Sequence, residues 1–188
     1  ADLLNGMRRQ VTMAKAAADS EPYATRVKAE ELIYDHLRAY MAMTDADLEG
    51  DFTEAAKQAA QMLSYRRQIH AISPFFCWPD EDGYHTGVWY WKITDRQRFY
   101  EDLADKTGGK TGELVALCPT ETAFRTDPMD EGRYAGWFAT EWPAGDWPRI
   151  STKRPFFSQG YRSSQGHSYV GDMWYRFRVD VPAHFAGR

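Results

Sequence analysis

Apolar positions recur at helical spacing through the first seventy residues and break into short runs beyond residue 110. Leu3, Leu4, Met7, Val11, Ala14 and Ala18 form one stripe with Arg8, Arg9 and Lys15 off it, which predicts an amphipathic helix over 2–19. Ser20, Glu21 and Pro22 read as a start signal, since a Ser oxygen can accept orphan amides and Pro is tolerated in a first turn. The helix that follows, over 22–43, carries Tyr23, Val27, Tyr34, Leu37 and Met41 on its face, flanked by Ile33 and Tyr40. Glu30 falls within that face and is expected to pair with Arg26 or a neighbouring helix, because a lone buried carboxylate is costly. A third helix, 51–72, opens on Asp51 with Glu54 three residues on, an Asp form of the capping box, and Pro74 stops it. Its narrow stripe of Phe52, Ala55, Ala56, Ala59 and Leu63 invites a close neighbour. Short connections predict antiparallel packing, with Phe52, Ala55, Ala59 and Leu63 against Val27, Tyr34 and Leu37.

Residues 74–119 read as an aromatic, Pro- and Gly-rich connecting stretch holding one short helix, Asp95 to Lys106, capped by Thr94 and closed by Gly108 and Gly109. After it come short runs broken by turn residues: ELVALCP, ETAFRTDP, GWFATEWP, DWPRIST and DMWYRFRVDVP. From Phe177 onward apolar and polar residues alternate as in a half-buried strand. The expected class is therefore α+β in mainly separate layers: an antiparallel helical segment (1–73), the connecting stretch, and a partial β-sandwich from residue 120 to 188.

Composition sharpens the division, since all seven Trp lie beyond position 77. A net charge of −4 and a pI near 5.7 leave no basic field to gather phosphates, so nucleic acid is not an expected partner. No apolar run approaches the roughly 20 residues that cross a bilayer, and the opening ADLLNGMRRQ lacks the order of a signal peptide. Opening without Met, the sequence is expected to be a fragment or mature segment. Cys77 and Cys118 are too few and too far apart for a zinc knuckle or a disulfide scaffold, leaving free buried thiols or a single bridge.

The run FRTDPMDEGRYAGWF from Phe124, then Trp142, DWPRIST, FFSQG and finally GDMWYRFRVDVP, resembles the opening strands of the galactose-binding-like jelly roll that serves as sugar-binding domain in family-two glycoside hydrolases. The order of elements is similar over about sixty residues, and the last is the most specific. The helical portion, with Tyr23 to Val27 and the Gly-Asp-Phe turn before the third helix, more loosely resembles the helical region of large multidomain glycosidase-like proteins, α-glucuronidase-like ones included. The resemblance implies an accessory, carbohydrate-binding or structural region of a secreted or periplasmic glycoside hydrolase acting in polysaccharide degradation, with its catalytic residues elsewhere. The alternative is a carbohydrate-binding or protein-interaction module with no linked enzyme. Because GDMWYRFRVDVP stands early in that jelly roll, further segments or another chain are expected to complete the sandwich and cover Trp174 and Phe177.

Candidate sugar contacts are Trp142, Trp137 and Asp127. Indoles can stack on pyranose faces or fill the space between sheets, and Trp137, Trp142, Trp147 and Trp174 are open to both readings; Trp142, followed by Pro143 and Gly145, belongs in a loop. Asp127, Asp130 and Glu131 raise the paired carboxylates of glycoside hydrolysis, but a turn in which they accept backbone amides accounts for Asp127-Pro128 and the Asp-Glu-Gly that follows. Asp45, Asp47, Glu49, Gly50 and Asp51 imitate a calcium loop until its twelfth place, which is Ala56 instead of Glu. No cofactor is expected, although such sandwiches leave a structural calcium ion open. The five His show no metal-ligand spacing, and GGKTGE lacks the order of a phosphate loop.

Overall fold

The computed structural model describes residues 2–77, 93–109, 111–163 and 165–185; the aromatic run at 78–92 lies outside the described residues. The protein is α+β, with its helices first and a small antiparallel sheet after them. The chain divides into two compact units, 1–114 and 115–188.

The first unit contains α1 (Asp2–Ala17), α2 (Tyr23–Glu49), α3 (Phe52–Ile72) and α4 (Ile93–Thr107). α2 packs along α3 across a two-residue connection, which requires the pair to run antiparallel, and α4 packs on the same α3. Their seam is made of small and flexible side chains: Ala39, Met43 and Ala46 from α2, and Ala55, Ala59, Met62 and Leu63 from α3. Ile93 and Tyr100 of α4 close it, with the Tyr100 ring stacked at 6.5 Å on Phe52. Ala at successive turns lets the helix backbones approach, and the close seam then excludes water from the longer Met and Leu.

That seam corrects the stripe read for α2. Ala29, Leu32, Tyr34, Ala39, Met43 and Ala46 are buried, whereas Tyr23, Ile33, Tyr40 and Met41 are exposed. The bulky apolar residues dominate the pattern by eye, but the small ones face α3. Glu30 accordingly lies exposed, off the buried face. α2 also runs six residues beyond Met43. Gly50 ends it at φ 76°, where its amide bonds Asp47 O at 3.1 Å and the Asp51 amide bonds Ala46 O at 2.9 Å. Asp45, Asp47 and Glu49 are thus helical, and Asp51 caps α3 by accepting the Glu54 amide at 2.9 Å.

Ser20 does not cap α2; Pro22 occupies that position without a side-chain bond, and the Ser20 hydroxyl donates to Asp19 at 3.2 Å. α1 ends two residues early and buries none of its stripe, Leu3 being 78% exposed; Lys15 ties it to α2 through Glu31 at 2.8 Å. α4 begins at Ile93, placing Thr94 inside the helix rather than at its cap.

The second unit is a sheet of order β2–β1–β3, with β1 (Glu121–Asp127) central and antiparallel to β2 (Arg149–Ser151) and β3 (Asp172–Arg176). Between β1 and β2 lie the one-turn helix α5 (Glu131–Ala135) and a run of turns through GWFATEWP, which is not a strand. ELVALCP is not a strand either, and Leu114, Val115 and Leu117 are exposed. Alternation along β1 sends side chains to two faces. On one, Phe124 is fully buried, meeting Tyr175 directly across the strand pair at 4.9 Å, Tyr161 at 4.4 Å and Phe156 at 6.5 Å. On the other, Ala123, Arg125 and Asp127 stand over the Trp cluster. The outer edge of β2 is closed by Gln159, whose amide accepts from the Ser151 N–H at 2.8 Å and donates to the Ser151 carbonyl at 3.0 Å. β3 stops at Arg176, where its register with β1 reaches Ala123. Phe177, Val179 and Val181 beyond it are exposed, 59% in the case of Val181, instead of half-buried, because no strand among the described residues continues the pairing.

Candidate functional site

Asp127 ends β1 and turns its carboxylate inward. Pro128 and Met129 carry the chain to Asp130, which sits at φ 55° and aims α5 back at that carboxylate. The Glu131 amide donates to Oδ1 at 2.8 Å, the Gly132 amide to Oδ2 at 2.8 Å, and the Trp174 indole N–H to Oδ2 at 2.9 Å. Burial opposes ionisation here, yet the Trp174 indole, the two amides and the Arg125 charge outweigh it and hold the carboxyl below its ordinary range. Asp127 is an anchor joining β1, α5 and β3. Its oxygens already accept three N–H donors, as the turn reading expected, and the side chain is 3% exposed, so it offers little to a sugar.

Trp137 is likewise enclosed. It meets Trp147 edge-on at 5.3 Å and Trp174 at 6.1 Å, with the Arg125 guanidinium 4.2 Å above its ring. Both Trp137 and Trp174 press on Gly132, where a Cβ would lie 2.5 Å from the Trp174 ring and 2.7 Å from that of Trp137. Only glycine lets α5 seat here. Arg176 fastens the other side, donating to the carbonyls of Trp137, Ala139 and Thr140, the last two at 2.7 and 3.1 Å. Trp137 and Asp127 are therefore brought together, but as framework rather than as open platforms.

Trp142 differs from both. It packs on the Ala123, Trp137 and Trp147 cluster while remaining half-exposed, and two open clefts meet at its indole. One, of about 500 Å³, lies between the end of β1 and the 142–148 turn, lined by Phe124, Thr126, Trp147, Asp146 and Tyr161. The other, of about 450 Å³, lies over Glu121 and Ala123 and is bordered by Arg149, Arg176 and Arg178. These volumes suit one or two sugar rings. Pro143 and Pro148 bracket the turn that presents the indole, and the Trp147 amide bonds Ala144 O at 3.2 Å within it. The arginines went unmarked in the sequence, where their scatter hid that the sheet register sets Arg176 across from Ala123 and that β2 adds Arg149 opposite the same residue.

The remaining candidates contribute no site. Asp130 pairs with Arg133 at 3.3 Å, and Arg133 reaches Asp172 at 3.4 Å, while Glu131 is exposed. No group of metal-ligating side chains occurs among the described residues. Both cysteines are free thiols: Cys77 is part-buried, its thiol donating to Arg66 O at 3.3 Å and pushed up in pKa by that burial, whereas Cys118 is exposed rather than buried. No helix among the described residues is long and apolar enough to cross a membrane. Set against known proteins, the chain matches no family model, no curated protein and no solved structure.

Proposed function

We propose that the unit of residues 115–188 binds carbohydrate without cleaving it and serves as an accessory part of a secreted or periplasmic glycoside hydrolase. The observation that carries this reading is Trp142, a half-exposed indole held on a rigid aromatic base where two clefts of ring-sized volume meet. An indole so placed gives a pyranose an apolar face to stack on, with polar cleft walls to meet its hydroxyls. The engagement of Asp127 by three donors supports a non-catalytic role for that carboxylate. The link to a hydrolase rests on the likeness of the Phe124–Pro182 segment to the family-two sugar-binding jelly roll. The edge position of β3 among the described residues and the exposed Phe177, Val179 and Val181 further support completion of the sheet by another segment or chain. Glycan-array binding and calorimetry on the full chain test the reading. Binding by the parent that disappears in Trp142→Ala, with the near-ultraviolet Trp spectrum otherwise preserved, is the expected result. Equal binding by the variant, hydrolysis of the bound glycan, or no binding by the parent would overturn it.

A further inference from the structure

In a chain of net charge −4, one of the two clefts at Trp142 is basic. Arg149, Arg176 and Arg178 border it, and Glu121 is the one carboxylate among its described lining residues. The three guanidinium groups stand in different states. Arg149 is engaged by Glu121, its Nη2 donating to the Glu121 carbonyl at 3.2 Å and its Nε 3.8 Å from the carboxylate, with both side chains largely exposed. Arg176 is held in place by three backbone carbonyls, which take three of its five N–H groups and leave its charge without an anionic partner. Arg178 makes no hydrogen bond or ion pair with any described residue and is exposed at the cleft rim. The cleft therefore carries an excess of two positive charges, one fixed by the framework and the other on a free side chain.

Free and fixed guanidinium groups facing one cavity are suited to a planar carboxylate, which their N–H forks can grip in two-pronged fashion. The same cavity is bounded by the Trp142 indole, so its ligand has to offer an apolar ring face beside the charge. A uronate meets both demands, its C6 carboxylate standing at the edge of a pyranose ring. We infer that this cleft is a subsite for acidic saccharides, with Arg178 and Arg149 holding the uronate carboxylate, Arg176 contributing its fixed charge, and Trp142 underlying the ring. The inference rests on the carbohydrate-binding reading above and specifies its ligand class.

The test uses the full chain and two matched pairs of ligands, methyl glucuronide against methyl glucoside and methyl galacturonide against methyl galactoside, so that each comparison isolates the C6 carboxylate. Titration followed by Trp fluorescence or calorimetry reads the affinities at low and at 0.5 M salt. Ion pairs made by exposed side chains are individually weak, so a uronide is expected to bind roughly fivefold more tightly than its neutral partner at low salt. High salt should shrink that ratio, because the site is open to solvent. Arg178→Gln and Arg149→Gln, both on exposed side chains, should each weaken uronide binding more than binding of its neutral partner, so that the ratio of the two affinities falls. Equal affinity for both members of each pair, a preference that survives both replacements, or displacement by inorganic sulfate as effective as by glucuronate would overturn the acidic subsite. Neutral binding lost in Trp142→Ala would still stand for the broader reading in each of those cases. Absence of any saccharide binding by the parent protein would remove both.

Discussion

The two units solve the burial problem by opposite means. The helical unit hides small aliphatic side chains along a seam between adjacent helices, and its polar groups are spread over exposed faces as short-range pairs such as Lys57–Glu54 and Lys106–Asp102. Among its described residues the β unit has three short strands, too little sheet to bury a core by itself. It compensates with large aromatics and with polar hubs, Asp127 and Arg176, that tie segments about fifty and forty residues apart. Stability is thus distributed along the seam in one unit and concentrated on a few side chains in the other, and single substitutions should expose that contrast.

The largest effect is expected from Phe124→Ala. Removing a fully buried ring from the centre of β1 should cost about 3–5 kcal/mol, seen as loss of the near-ultraviolet dichroism contributed by Trp137, Trp142, Trp147 and Trp174 with the helical signal at 222 nm largely retained. Parallel loss of both signals would break the comparison. Gly132→Ala comes next. A methyl 2.5 Å from the Trp174 ring forces repacking, and overpacking of this kind costs about 1–3 kcal/mol in a denaturant titration. Asp51→Ala, which removes one of many local contributions in the helical unit, should cost about 1 kcal/mol and lower the helical transition alone.

Acid should separate the units without mutation, through effects that vanish above neutral pH. His36 lies on α2 with its Nε2 buried and unpartnered; burial and the Arg66 charge hold its pKa below the ordinary value. The unfolded chain takes up that proton first, so the helical unit should begin to lose stability as pH falls below about 6.5, and His36→Gln should abolish this early loss. Asp127 also has a depressed folded pKa, but as a carboxylate. Its contribution is complete above its unfolded value near 3.9 and is lost only as pH falls through the lower folded value. The Trp signal of the β unit should therefore persist through the range in which His36 acts. A β unit that melts first would contradict this assignment.

Legibility in the sequence followed the range of the interactions. The Asp51–Glu54 cap and the end of α3 before Pro74 depend on neighbours within a few residues, and both were readable. The buried face of α2 was not. Its large side chains outweigh Ala39 and Ala46 in any hydrophobic reading, yet backbone proximity to α3 decides which face is dry. In the β unit, the turn after Asp127 was legible because Pro128 and the Asp-Glu-Gly run announce it. Trp137 and Trp142 are chemically alike and five residues apart, and nothing local separates the enclosed ring from the half-exposed one.

The order of residues alone was enough for the Ala55, Ala59 and Leu63 stripe of α3, the Asp51 cap, the division into helices followed by strands, and the turn at 127–132. These are consequences of periodicity, backbone stereochemistry and short-range hydrogen bonding. That Asp127 is an anchor, that Trp142 keeps a partly exposed face, and that Arg149, Arg176 and Arg178 share one cleft follow from the tertiary fold. Those outcomes depend on strand register and on the closure of segments far apart in the chain. Burial, charge excess and free ring surface are properties of such an assembled neighbourhood and belong to no residue alone.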